Sequence, residues 1–149
     1  MLSGTERELI RRTGLGHPNV SPDGRYISTA SRDQSAKTHV VLLIPIAGGE
    51  PRELLKVNMP DTINLGTWTP DSRSLLAVKN AQQSQAREMF WVPIDGPGIQ
   101  KVQPIDGMLP FSLRVHRDGR QVAYVSGAAS GPAEVWVLEN FLPPANVKR

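Results

Sequence analysis

Three aspartates sit in nearly identical settings: Asp23 in "SPDGR", Asp71 in "TPDSR" and Asp118 in "HRDGR". Carboxylates that converge in space can hold a calcium ion or divide acid and base roles between them. His17, His39 and His116 offer imidazole for a metal or a proton. Trp68, Trp91 and Trp136 offer flat apolar faces, "SGAASG" at Ser126–Gly131 sets serines among small residues, and the Gly48-Gly49 pair has the backbone freedom of a phosphate loop. Each of these chemistries demands a spacing.

The spacings point elsewhere. The aspartates recur at periods of 48 and 47 residues, each inside the same turn, so they are expected apart around one rim and occupied by their turns. No His-x-His or His-x-x-x-His pair occurs, and the absence of cysteine removes disulfides, thiolate nucleophiles and Cys-based zinc sites. A serine hydrolase needs G-x-S-x-G on a strand-to-helix turn, which "SGAASG" lacks, so that stretch reads as a connecting loop. Trp91 and Trp136 fall at the same place of a repeat, which predicts packing between repeats. Gly48-Gly49 is followed by no helix and reads as a hairpin turn. No catalytic, cofactor-binding or metal-binding residue is expected, and the chain reads as no enzyme.

What repeats is structural. "VSPDGRYIS" (20–28), "WTPDSRSLL" (68–76) and "VHRDGRQVA" (115–123) align, and "LLIPI" (42–46), "FWVPI" (90–94) and "VWVLE" (135–139) recur in phase. In Ser-Pro-Asp-Gly, Pro22 presets the turn, Asp23 suits its third position and Gly24 takes the left-handed conformation. Ser72 stands where the glycine belongs, at about 1 kcal/mol if the geometry is kept. Apolar segments are short, rich in Val, Ile, Trp and Tyr, and lack helical spacing. A period of this length holding short strands predicts an all-β chain of β-propeller blades, each of four antiparallel strands.

Three blades follow, at about 14–57, 62–105 and 109–142. The third stops at "NFLPPANVKR" before an outermost strand. "TERELIRRTG" at the start resembles "GEPRELLKVN", Arg7-Glu8-Leu9-Ile10 matching Arg52-Glu53-Leu54-Leu55, so residues 6–11 read as a spare outer strand.

At 149 residues the length suits one domain. A formal charge of +3 without clustered Lys and Arg excludes a nucleic-acid footprint. The longest apolar run, Val40–Ala47, is too short to span a membrane as a helix, and the first fifteen residues carry no continuous apolar core of a signal peptide.

"NVSPDGRYISTASRD…VVLLIPIAGGEPREL" and its weaker copies resemble the WD-like repeat of TolB-type β-propellers, a repeat found also in prolyl oligopeptidase-like peptidases. The resemblance implies six blades, and a periplasmic setting for a longer parent. "EVWVLENFLP" resembles the ends of propeller regions attached to bacterial regulatory proteins and kinases. Three blades cannot readily close a ring. Either two copies assemble as a homodimer into a six-bladed ring, or the sequence is the C-terminal piece of a longer gene.

By elimination, the expected function is a non-catalytic scaffold module that binds a protein or peptide through loops at one rim. Those loops are expected to carry Arg32, Asp33, Lys37, Asp61, Asn64, Lys79, Gln82, Arg87, Asp106, Met108 and Phe111. The alternative is a ligand- or signal-sensing propeller fragment of a larger bacterial regulatory or kinase protein, with its ligand in the central channel. No cofactor is expected.

Overall fold

A tight turn organises each repeat, and its chemistry is the same three times. The backbone N–H of Gly24, Ser72 or Gly119 donates to the carbonyl of Ser21, Thr69 or His116, all at 2.9 Å. The aspartate carboxylate then accepts twice: from Ser21 Oγ (2.6 Å) and the Arg25 N–H (3.0 Å), or from Thr69 Oγ1 (2.6 Å) and the Arg73 N–H (3.1 Å). In the third copy Asp118 accepts from the Arg120 N–H at 2.9 Å and lies 2.8 Å from His116 Nδ1. The expected left-handed residue is present each time, with φ of 71° at Gly24, 60° at Ser72 and 72° at Gly119. Ser72 keeps the strained geometry because it has a second use: its buried hydroxyl accepts the Asp23 N–H of the neighbouring turn at 3.0 Å.

The computed structural model describes residues 4, 6–84, 86–103, 105, 107–108, 112–127 and 132–139. Each turn joins two strands of one antiparallel sheet. The first sheet is β1 (Asn19–Val20), β2 (Tyr26–Asp33), β3 (Thr38–Pro45) and β4 (Arg52–Asn58), in that order. The second repeats it with β5 (Thr62–Trp68), β6 (Ser74–Ala81), β7 (Ala86–Pro93) and β8 (Gln100–Val102). The third has β9 (Arg114–Val115), β10 (Gln121–Ser126) and β11 (Glu134–Glu139), and no fourth strand among the described residues. The architecture is all-β, in three blades.

Blades stack face to face, which is why their middle strands read as continuous apolar runs instead of alternating ones. Val41 and Leu43 of the first blade meet Leu75, Ala77 and Val92 of the second, with Ile63, Leu65 and Trp68 filling the inner part. The opposite face of the second blade, Leu76, Val78, Met89 and Trp91, packs on Leu113 and Val122 of the third. Within the second blade, a β-carbon at Gly66 of β5 would lie 3.2 Å from a methyl of Leu76 on the neighbouring strand β6.

The "SRD" tail of the first repeat corrects an expectation. It is strand, not loop, since Ser31, Arg32 and Asp33 stand opposite Val40, His39 and Thr38. The ladder runs on until Lys37, at φ 51°, turns the chain. Residues 6–12 pair with no strand among the described residues.

Ser72 allows a test of the turn. Ser72→Gly relieves about 1 kcal/mol of left-handed strain and loses a hydrogen bond of similar worth, so its stability should stay near wild type. Ser72→Ala keeps the strain and loses the bond, and should cost about 1–2 kcal/mol. Urea unfolding of the two variants reads the difference; equal losses would contradict the assignment.

Candidate functional site

The rim where β2 meets β3 and β6 meets β7 holds most of the expected binding residues, and the structure spends many of them internally. Lys79 Nζ lies 3.0 Å from Asp61 and 3.6 Å from Glu88, which in turn meets Lys101 at 2.6 Å. The lysine holds the Asp61 carboxyl below its usual range, and Asp61 raises the Lys79 pKa in return. Asp61 also accepts the Gln82 N–H at 3.2 Å. Asp33 caps the β2–β3 turn by accepting from the Ala36 N–H (2.9 Å) and Ser35 Oγ (3.1 Å), which lowers its pKa, and it faces Arg12 at 3.7 Å.

Arg87 ties two blades, its guanidinium donating to the Met108 carbonyl at 2.8 Å. Met108 itself corrects the expectation of a rim residue, because its side chain is 3% exposed inside the core between the second and third blades. Arg32, Asn64, Lys79 and Arg87 belong to strands, not loops. Arg32, Lys37, Gln82 and Arg87 are the expected residues that keep exposed positions at this rim, Arg87 while tied to Met108. Asp106 and Phe111 lie outside the described residues.

A hollow of about 460 Å³ opens between the inner strands, lined by His17, His39, Asn64 and Arg114 among others. His39 anchors its wall: Nδ1 accepts the Ile63 N–H at 2.8 Å, joining the first blade to the second. Among the described residues no three of His, Asp and Glu converge as a metal site requires.

The most exposed apolar surface is the third blade's outer edge, which sequence reasoning did not single out. Val135, Trp136 and Val137 of β11 are 76%, 50% and 61% exposed, whereas Val41, Leu42 and Leu43 of β3 and Trp91 and Val92 of β7 are at most 3% exposed. Register is the reason that Trp136 does not repeat Trp91. Trp136 stands opposite Tyr124, and Trp91 opposite Leu76. Counted from the turn aspartates, Tyr124 corresponds to Ala77, whose partner is Phe90. β11 has slipped by one residue, and a one-residue slip exchanges the faces of a strand. Trp136 therefore occupies the position of Phe90.

Solved structures with this arrangement of blades fix the fold. A TolB-like protein from Agrobacterium tumefaciens superimposes with a TM-score of 0.60 at 22% identity, over 82% of this chain and 43% of that one. The fold is that of a TolB-like β-propeller. The propeller domain of the Trilobed protease from Pyrococcus furiosus, described for that protein as an open velcro topology, matches at 0.59 and 12% identity, over 85% of this chain and 38% of the other. A puromycin-hydrolyzing peptidase from Mycobacterium tuberculosis matches at 0.63 and 16% identity, over 92% of this chain but 23% of the peptidase. No protein-family model and no curated protein matches the sequence. The propeller spans under half the length of each of these proteins.

His39 gives the propeller a pH-sensitive joint. Burial, and then the nearby Arg32 cation, push its pKa below the ordinary value. The unfolded chain binds the proton first, so this joint contributes fully above the ordinary histidine value of about 6.5 and weakens as pH falls through it. Urea midpoints measured at about pH 7.5 and 5.5 should drop in the wild type, and His39→Asn should flatten that drop.

Proposed function

We propose that this chain is a non-catalytic β-propeller module that engages a polypeptide partner. The single observation behind this reading is β11: an apolar strand whose counterparts in the other two blades are covered on both faces and paired along both edges, while among the described residues it is open. An exposed strand edge is a template for another strand, main-chain hydrogen bonds giving affinity and alternate side chains giving specificity. Arg32, Lys37 and Gln82 at the rim supply further polar contacts to the same partner.

A peptide of residues 51–58, the outer strand of the first blade, is a suitable probe for this edge. Its binding should shift Trp136 emission to the blue and slow hydrogen exchange along β11. Val137→Lys should weaken it by about tenfold or more, since a charge then enters an apolar contact. An unperturbed β11 at saturating peptide, in a chain that light scattering shows to be monomeric, would overturn the reading.

The hollow beside His17 and Asn64 supports a second reading, a ligand-sensing propeller. A small ligand there would protect the amides of β5 and leave β11 unchanged, so the same exchange measurement separates the two.

A further inference from the structure

The N-terminal segment sits on the first blade as an outer strand sits on the blade after it. Arg52, the first residue of β4, donates to the carbonyl of Ile94 in the second blade at 2.8 Å. Arg7 donates to the carbonyl of Ile46 in the first blade. The two acceptors are equivalent, because Ile46 and Ile94 each donate their N–H to the arginine after the turn, Arg25 or Arg73, at 2.9 Å. The sequences around the donors, Arg7-Glu8-Leu9-Ile10 and Arg52-Glu53-Leu54-Leu55, match as well.

The contact is more than one bond. Arg12 reaches Asp33 at 3.7 Å, so the segment is pinned at both ends of the first blade's free face, with half-buried Leu9 and Ile10 between the pins. On that face, with no blade beyond it, Val40, Leu42 and Ile44 are still only 1–3% exposed. Yet the face is incomplete toward the axis: Val20 is 59% exposed, whereas Trp68 at the same place in the second blade is 5% exposed.

Among the described residues, one end thus carries an outer strand without its blade, and the other a blade without its outer strand. We propose, resting on the reading of β11 as a binding edge, that the partner is a second copy of this chain: residues 6–11 of each copy add antiparallel to β11 of the other, closing a two-fold, six-bladed ring. The β3–β4 register carried onto β11 puts Ile10 opposite Val135 and Glu8 opposite Trp136. Arg11 then comes opposite Glu134, a pairing of opposite charges. Its present pairing with Glu8 at 2.6 Å is highly exposed and readily exchanged. The contact is isologous and, among the described residues, leaves no open edge, which stops assembly at two.

The cysteine-free chain permits a direct test. Light scattering of the purified chain should give twice its 16.3 kDa mass. Ile10→Cys and Val135→Cys chains, purified separately and mixed under mild oxidation, should form a disulfide-linked dimer, while Ile10→Cys mixed with Glu50→Cys should not. Arg11→Glu should weaken the dimer at least tenfold, and pairing it with Glu134→Arg should restore it; circular dichroism establishes that each variant keeps its β-structure. A folded wild-type monomer at micromolar concentration would overturn the proposal, as would a dimer in which Ile10 and Val135 cross-link no better than the control. If β11 still binds the 51–58 peptide in such a monomer, only the identity of the partner is wrong. If it binds neither, the reading of β11 falls too.

Discussion

A propeller blade is a sheet with two apolar faces, and neither face tolerates water. Everything else in this chain follows from that constraint. The second blade meets it completely, with Val92 turned to one neighbour and Trp91 to the other, both almost fully buried. The first blade meets it by drawing residues 6–12 across its free face. The third, among the described residues, does not meet it, and the exposed β11 is the result. Burial of a Val or Trp side chain is worth about 1.5–3 kcal/mol, so three such residues left open are a substantial unmet demand.

Hydrogen bonding plays the complementary part. The repeated turn saturates one aspartate with its own loop, and the Ser72 hydroxyl links successive turns, so polar groups at this end fix the hairpins and join the blades. Lys79, Asp61 and Glu88 do related work at the opposite rim. Such partly exposed ion pairs add modestly to stability, but they hold side chains in place and reduce what the rim presents to a partner.

The architecture was legible because it is written locally. Asp23, Asp71 and Asp118 disclose the turns, and the runs ending "IPI", "VPI" and "VLE" disclose the third strands, without knowledge of anything distant. What escaped is long-range. Whether Met108 lies on a rim or in a core depends on how closely the third blade approaches the second. Whether Lys79 is free depends on Asp61, eighteen residues away across a ladder. The equivalence of Trp91 and Trp136 looked secure from the repeat, yet a one-residue slip in β11 set them on different faces. The likeness of residues 6–11 to β4 was visible in the sequence; that Arg7 repeats the contact of Arg52 was not, because it is a relation between blades.

The inner strands differ in a way that bears on how the molecule opens and forms. β5 contributes seven residues at the centre of the stack, while β1 and β9 contribute two each. Few backbone hydrogen bonds hold the terminal inner strands, and within one chain, among the described residues, only the middle sheet lies between two others. Cooperative units of this kind come apart from their weakest members. In a single chain, opening therefore starts at the two ends and reaches β5 to β7 last, and a refolding chain has in that middle sheet the natural nucleus on which the outer ones condense.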